Sequence, residues 1–224
     1  MRKLMVLSLL YIALYAQAGQ PGGDSLILKP VFQNLIGEAY SDLSFTHKGI
    51  HFRDEFLPGK IWFSNGDSLN ELSLRYNSFE DQLIWLSKKH GQVLLDRHNI
   101  THFQLNNGDT AFLFKRLQLP EAGNGFLQVC YEGNIKLYVK RKSVPYTSYI
   151  RNSIKYYKYR QAPVYYLVVQ GKVYNINRNI KNLYQLFPAK EEAIRNNIRG
   201  KHLNFKREND FIKAIIGMEQ ILTE

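Results

Sequence analysis

The chain has 224 residues, with 30 Lys and Arg against 19 Asp and Glu, so its net charge is +11 at pH 7. It contains one cysteine, Cys130, which excludes an internal disulfide and leaves stability to the hydrophobic core. No P-loop or Gly-x-Gly-x-x-Gly motif occurs, so the sequence gives no support for a nucleotide cofactor, and we expect no other cofactor.

Residues 1–18 are typical of a cleavable secretory signal peptide. Arg2 and Lys3 form a positive start, residues 4–15 carry no charge, and Ala16-Gln17-Ala18 has the small-x-small cleavage pattern. The apolar stretch is shorter than the ~20 residues that span a bilayer, and no later segment is longer. We therefore expect an exported protein, periplasmic or associated with the outer envelope, without a transmembrane segment after cleavage.

Residues 19–50 form a lead-in with few periodic signals, and residues 51–177 alternate short apolar runs with turn residues. Five pairs of runs each flank a turn, at Asn65-Gly66, 88–91, 106–109, 132–134 and Gln170-Gly171. Apolar runs separated by such turns are typical of β-hairpins. This pattern predicts an antiparallel β-rich body, a meander of hairpins, with a basic connector between the fourth and fifth hairpins.

The apolar period changes in residues 178–224, where two or three helices are predicted. One apolar face runs from Ile180 to Phe187 and ends at Pro188, and a second includes Ile194 and ends at Gly200. A final amphipathic helix is expected from about Glu208 to Leu222. The predicted fold class is α+β, with the β-rich body followed by the C-terminal helices.

Positive charge is concentrated in the second half of the chain. Residues 19–134 contain 10 cations and 13 anions, whereas residues 135–207 contain 17 cations and two anions, a net charge of +15. Like charges at this density repel one another in a compact fold. We therefore expect this segment to do more than form a solvated face.

The basic segment 136–160 interleaves cations with aromatic residues, a pattern that polyanion sites use for charge attraction and ring stacking. Export argues against nucleic acid and favours an anionic envelope component or a protein partner, with peripheral membrane association as one form of contact. The alternative is a Tyr-rich β edge whose Lys and Arg stems pack on the sheet. The candidate binding residues are Lys140, Arg141, Lys142, Arg151, Lys155, Tyr156, Tyr157, Lys158, Tyr159 and Arg160.

Motifs for catalysis or metal binding are weak. Gly-Asp-Ser-Leu, found in a family of lipases and esterases, occurs at 23–26 and 66–69, but the Asp-x-x-His that supplies its base is missing. The pairs His47/His51 and His98/His102 are spaced to meet on a helix, yet both lie in turn-like sequence. We predict no catalytic or metal-binding residues. A hydrolase of an envelope polymer and a structural subunit of a membrane-associated complex stay as alternatives.

A series of short motifs is distributed along the chain. They lie at residues 56–66 (Phe-Leu-Pro-Gly-Lys-Ile-Trp-Phe-Ser-Asn-Gly), 74–77 (Leu-Arg-Tyr-Asn), 81–85, 125–133 and 165–167. Through this series the chain resembles a family of exported β-rich proteins of Bacteroidota-type bacteria. The resemblance covers most of the mature chain and implies an exported envelope protein, with no activity or catalytic residues to transfer. For Arg75 and Asn77 we expect a role in capping or cross-linking the turn before Asp81.

Overall fold

A computed structural model of the chain describes residue 35 and residues 37–41, 45–199 and 201–224. The predicted signal peptide, the first Gly-Asp-Ser-Leu match and most of the lead-in lie outside the described residues. Nothing in the fold below depends on them.

Two sheets are built from fourteen strands within the described residues. Eleven strands form one antiparallel sheet, in the order β1-β6-β5-β4-β3-β7-β8-β9-β10-β13-β14, and three form a smaller sheet in the order β11-β12-β2. The strands are β1 Gly37–Ala39, β2 His47–Lys48, β3 Leu57–Phe63, β4 Ser68–Asn77, β5 Gln82–Ser87, β6 Gly91–Leu95, β7 Ile100–Asn107, β8 Thr110–Leu119, β9 Gly123–Glu132, β10 Ile135–Lys140, β11 Ser143–Arg151, β12 Ile154–Gln161, β13 Val164–Val169 and β14 Lys172–Ile176. The predicted antiparallel β-rich body is confirmed.

All five predicted hairpins are present, as β3–β4, β5–β6, β7–β8, β9–β10 and β13–β14. Turn chemistry explains why these turns could be recognised from the sequence. At Gln170 and Gly171 the φ angles are 48° and 78°, the left-handed pair that joins two twisted strands in two residues. Gly66, with φ of 90°, supplies the same freedom between β3 and β4.

The predicted basic connector is wrong, because residues 143–161 form a sixth hairpin, β11–β12. It leaves the large sheet after β10 and returns at β13, and those two strands pair directly, with Lys140 opposite Val164. Its turn is Asn152-Ser153, with φ of 50° and 61°. The turn has no glycine, so the hairpin signal in the sequence was weak.

Helices follow the last strand as predicted. They are α1 Ile180–Leu186, α2 Glu191–Ile198, α3 Glu208–Ile216 and α4 Glu219–Thr223. The predicted final helix is divided in two at Gly217 and Met218, and Gly200, predicted to end α2, lies outside the described residues. Across the described part of the chain, no helix combines the length and the apolar character needed to cross a membrane.

Three buried apolar clusters hold these elements together, and two of them are large. The first is aromatic: the rings of Phe103 and Phe114 stack with centroids 4.7 Å apart, and Tyr76 and Phe126 pack against them. The second joins the helices to one face of β10 and β13, and buries Leu137, Leu167, Leu183, Ile194, Phe211 and Ile215. The helices therefore cover the C-terminal half of the large sheet, next to the base of the β11–β12 hairpin.

Candidate functional site

A partly buried polar network fixes the base of the β11–β12 hairpin to the rest of the protein. The Ser143 hydroxyl donates to the Gly49 carbonyl at 2.9 Å and lies 2.8 Å from the Ser78 hydroxyl. The side-chain amide of Gln161 donates to the His51 carbonyl and to Ser143 Oγ, both at 2.8 Å. These bonds join both strands of the hairpin to the chain before β3, so the hairpin extends from a rigid base.

Strand β2 pairs with the middle of β12 and ends before the part of the hairpin that leads to its turn. It pairs in parallel with β12 only at His47↔Tyr157 and Lys48↔Lys158. The Tyr157 amide donates to the Thr46 carbonyl at 2.6 Å, and the His47 ring stacks on the Tyr157 ring at 4.7 Å. Beyond this point, residues 149–156 pair with each other and with no further strand in the described part of the chain.

One face of the hairpin, which we call the Tyr149 face, is an aromatic row with cations over its rings. Tyr149 and Tyr156 lie opposite each other and stack with centroids 5.2 Å apart and planes 10° apart. Lys158 Nζ lies 5.2 Å from the Tyr149 ring centroid, and Arg160 lies 5.9 Å from that of Tyr146. Cations held over exposed rings keep their charge at the surface, where a ligand can reach it.

The opposite face packs more closely against the protein. The Tyr159 ring lies 4.7 Å from Phe79 and 5.9 Å from His47, and Lys155 Nζ lies 5.1 Å from the Tyr157 ring centroid. Most of the exposed aromatic surface therefore belongs to the Tyr149 face.

Charge on the hairpin is of one sign. Residues 142–161 contain five cations, five tyrosines and no Asp or Glu. Among the described residues, the cations within 4.0 Å of a carboxylate oxygen are Arg97, Lys115, Lys140, Arg141 and Arg195. The hairpin cations Lys142, Arg151, Lys155, Lys158 and Arg160 are not in that set, so their charge is uncompensated by a near carboxylate in the described protein.

Lys140 and Arg141, two of the sequence-predicted binding residues, lie in intramolecular ion pairs instead. Lys140 Nζ donates to Asp81 Oδ2 at 2.6 Å. Arg141 is 7% exposed; its Nη1 donates to both carboxylate oxygens of Glu208, at 2.8 and 3.1 Å, and its Nε donates to Gln128 at 2.6 Å. These two cations connect the sheet to the β4–β5 turn and to α3, and we leave them out of the binding surface proposed below.

The other eight predicted residues lie on the hairpin or at its base. Lys142 is exposed where β11 begins, and the remaining seven are on or next to β12 and the turn. Tyr146 and Tyr149 belong to the basic segment 136–160 but were not among the candidate binding residues; Tyr149 stacks on Tyr156, and the Tyr146 ring lies under Arg160. Phe45, which is 68% exposed and has its ring 5.8 Å from that of Tyr156, was not predicted. A predicted turn at Asn152-Ser153 would have placed Tyr149 opposite Tyr156; Phe45 is brought in only by the long-range pairing of β2.

The turn before Asp81 shows one correct and one wrong expectation. Asn77 caps it as predicted, since its Oδ1 accepts hydrogen bonds from the amides of Phe79 and Glu80 at 3.0 and 3.1 Å. Arg75 does not cross-link this turn; its guanidinium donates to the Asp54 carbonyl and to Gln92 Oε1 at 3.3 and 3.0 Å. The Arg75 side chain instead joins β4 to the segment before β3 and to β6.

Asp81 is a structural acceptor at the end of the same turn. It receives the Tyr76 hydroxyl at 2.5 Å and the Lys140 ammonium at 2.6 Å, and its carboxylate faces the Phe126 amide. Burial, and then the nearby Asp81 charge, raise the pKa of Tyr76 well above its ordinary value of 10.0. Tyr76 therefore stays protonated and acts as a donor inside the aromatic core.

A shallow cleft of about 270 Å³ opens at the base of the hairpin. It is smaller than the ~300 Å³ at which small-molecule sites usually begin, and its lining mixes the cation Arg53 with the anions Asp54 and Glu55. The other lining residues are Gly49, His51, Phe52, Tyr159 and Gln161. The exposed hairpin, rather than this cleft, offers the larger surface of uniform charge.

The second Gly-Asp-Ser-Leu match lies in the β3–β4 turn, as its Asn-Gly sequence predicts. The Asp67 amide donates to Asn65 Oδ1 at 3.0 Å, so Asp67 forms part of the bend. Cys130 is half-buried against the second core, and burial raises the pKa of its thiol to about 12. Such a thiol is protonated at neutral pH and is a poor nucleophile.

The histidines are spread over separate contacts. His102 stacks on Trp62 with centroids 4.4 Å apart, while His47 stacks on Tyr157. Within the described ranges, no three His, Cys, Asp or Glu side chains come together in a group that could hold a metal ion. No family model, curated protein or solved structure matches the chain, so function is argued from the hairpin itself.

Proposed function

We propose that the protein is an exported, envelope-associated, non-enzymatic binding protein, and that the β11–β12 hairpin contacts an anionic ligand or partner. The observation that carries this proposal is the hairpin surface: five cations and five tyrosines in residues 142–161, with no carboxylate among them. Residues 1–18 and the resemblance to an exported family support the location.

The electrostatics of the hairpin favour an anionic ligand. Positive charges that lie close together on a narrow two-stranded ribbon repel each other, and a bound anion relieves that repulsion. The aromatic rings beside them add a second type of contact, because a tyrosine ring stacks on a sugar or base and its hydroxyl donates hydrogen bonds. The rigid base holds this surface away from the sheet.

The contrast with Lys140 and Arg141 strengthens the assignment. Those two cations lie within 4.0 Å of a carboxylate oxygen and contribute to folding. Lys142, the next residue, is exposed at the start of the hairpin. Among the described residues, the cations next to the body thus lie near carboxylates, whereas those along the hairpin do not.

Polyphosphate binding measured by titration across a range of NaCl concentrations tests the proposal, because polyphosphate offers charge without lipid or sugar. We expect affinity to fall as salt rises, since screening weakens contacts between exposed charges. We expect a variant with five substitutions to Gln to bind polyphosphate at least about thirtyfold more weakly, from ~0.4 kcal/mol for each exposed ion pair. The substituted residues are Lys142, Arg151, Lys155, Lys158 and Arg160.

A matched control removes the same charge elsewhere. Five exposed cations outside the hairpin are replaced by Gln: Lys172, Lys181, Arg199, Lys206 and Lys213. We expect this variant to keep most of the affinity of the wild type. Equal losses in the two variants, or binding that does not respond to salt, would show that the hairpin is not the anionic-ligand surface.

A further inference from the structure

The tip of the hairpin exposes two isoleucines next to its turn. Ile150 is 72% exposed and Ile154 is 42% exposed. They flank Asn152-Ser153, and the register places Ile150 opposite Lys155 and Ile154 opposite Arg151. The two isoleucines therefore lie on opposite faces of the ribbon, so each face near the turn presents one exposed isoleucine beside one cation.

Tyrosines lie directly behind these isoleucines. The stacked pair of Tyr149 and Tyr156 lies on the face of Ile154, two residue pairs further from the turn than the Arg151↔Ile154 pair. Tyr146, 67% exposed, follows along β11. Tyrosine prefers the boundary between an apolar phase and water, because its ring is apolar and its hydroxyl needs a polar partner.

Cations accompany both layers. Arg151 and Lys155 lie beside the isoleucines, and Lys158 and Arg160 lie beside the tyrosines further back. Their long stems let the charged groups reach the head-group level while the aliphatic part stays in apolar surroundings. Behind the polar Asn152-Ser153 turn, the isoleucines come first with Arg151 and Lys155 beside them, and the tyrosines follow with Lys158 and Arg160. The apolar side chains nearest the tip are therefore backed by residues that favour the head-group level of a bilayer.

From this order we propose that residues 149–156 insert into the surface of an anionic lipid bilayer, with Ile150 and Ile154 reaching the acyl chains. This inference rests on the function proposed above and names its ligand. A soluble polyanion needs the cations and rings but gains nothing from exposed isoleucines. Anionic lipid supplies both the charge for the cations and an apolar phase for the tip.

The extent of the free ribbon fits a shallow insertion. Strand β2 covers β12 at residues 157 and 158, so three residues on each strand extend beyond it to the turn. At ~3.3 Å per strand residue, this length is about 10 Å. That distance reaches the ~5–10 Å depth at which interfacial segments bury their apolar face, and no part of the body needs to enter the lipid.

Co-sedimentation with vesicles of mixed phosphatidylglycerol and phosphatidylcholine, against pure phosphatidylcholine, tests the inference. We expect the wild type to bind the mixed vesicles and to bind pure phosphatidylcholine much more weakly. The double variant Ile150→Ser/Ile154→Ser is expected to lose about tenfold or more in vesicle affinity, since two side chains no longer leave water. Its affinity for polyphosphate is expected to stay unchanged.

The control is Leu86→Ser, which alters a 41%-exposed leucine in β5, away from the hairpin, and is expected to bind vesicles as the wild type does. Unchanged vesicle binding by the double isoleucine variant overturns the insertion. Binding of wild type to polyphosphate but not to mixed vesicles also overturns it, leaves the proposed function standing, and identifies the ligand as a soluble polyanion. Binding to neither probe defeats the proposed function itself.

Discussion

Arg141 separates the cations that stabilise the fold from those that we assign to binding. Replacing it by Met keeps a long aliphatic stem beside Phe52, over which the guanidinium lies at 5.2 Å, and removes the charge. The substitution deletes two contacts to the Glu208 carboxylate and one to Gln128. Glu208 then keeps the Tyr165 hydroxyl, which donates to it at 2.7 Å.

The size of the effect follows from burial. Breaking a buried ion pair costs about 3–5 kcal/mol, because the remaining charge stays out of water without its partner. The Arg141 side chain is 9% exposed and that of Glu208 is 29% exposed, so water partly solvates the carboxylate that is left. We therefore expect the lower end, a loss of about 3 kcal/mol in the free energy of unfolding.

Urea unfolding followed by fluorescence measures this loss. Lys142→Met, at the exposed neighbouring position, is the control and is expected to change the free energy of unfolding by less than about 0.5 kcal/mol. A double-mutant cycle with Glu208→Gln is expected to give a coupling of at least ~1 kcal/mol. An Arg141→Met variant that unfolds like the wild type and binds polyphosphate more weakly would refute the structural role.

Three further predictions address the hairpin base, the cysteine and the last helix. Gly49→Ala is expected to lower the free energy of unfolding in urea by at least ~1 kcal/mol more than Gly171→Ala does. Both glycines have left-handed φ. A Cβ added at Gly49 would lie 2.6 Å from the carbonyl oxygen of Tyr159, whereas one added at Gly171 would meet no atom within 4 Å. Cys130 is expected to react with an alkylating reagent at pH 8 only after unfolding, and rapid labelling of the native protein would contradict its raised pKa. Hydrogen bonds from the Tyr131 hydroxyl and two backbone amides lower the pKa of Glu219 below its ordinary 4.5. Ionised Glu219 therefore stabilises the folded protein above pH 4.5, and this stabilisation is lost as the pH falls through the lower pKa of the folded state. Acid unfolding of Glu219→Gln is therefore expected to depend less on pH in that window, and an unchanged acid limb would contradict this.

The strands that could be predicted are those with local turn signals. Asn65-Gly66 and Gln170-Gly171 supply residues that adopt left-handed φ easily, and the apolar runs beside them are neighbours in the chain. The β11–β12 hairpin has a similar backbone turn at Asn152 and Ser153. Its strands carry exposed residues on both faces, so no apolar alternation marks them.

Short strands with distant partners were beyond sequence reasoning. β2 is two residues long and pairs with residues 157 and 158, about half the chain away. A strand of that length has no periodicity of its own, and it lies just before Gly49 and His51, whose carbonyls bond to Ser143 and Gln161. The aromatic contact of Phe45 with the hairpin follows from this pairing and is equally invisible in the sequence.

The sequence identified the segment that contains the candidate site, but it could not separate the cations that stabilise the fold from those that are free to bind a ligand. Lys140, Arg141 and Lys142 are consecutive and chemically alike, yet within the described ranges the first two meet carboxylates and Lys142 does not. Their partners, Asp81 and Glu208, lie 59 and 67 residues away in the chain. Which cation is paired depends on the direction of each side chain at the end of β10, and only the fold sets that direction.

An NMR titration of the labelled protein with short-chain polyphosphate tests the central claim most directly, because it locates the contact on the chain. We expect the largest chemical-shift changes in residues 143–161, with the Tyr149 and Tyr156 ring signals among them, and we expect these changes to disappear at high salt. Changes centred on the cations of residues 172–213, with the hairpin signals unmoved, would contradict it.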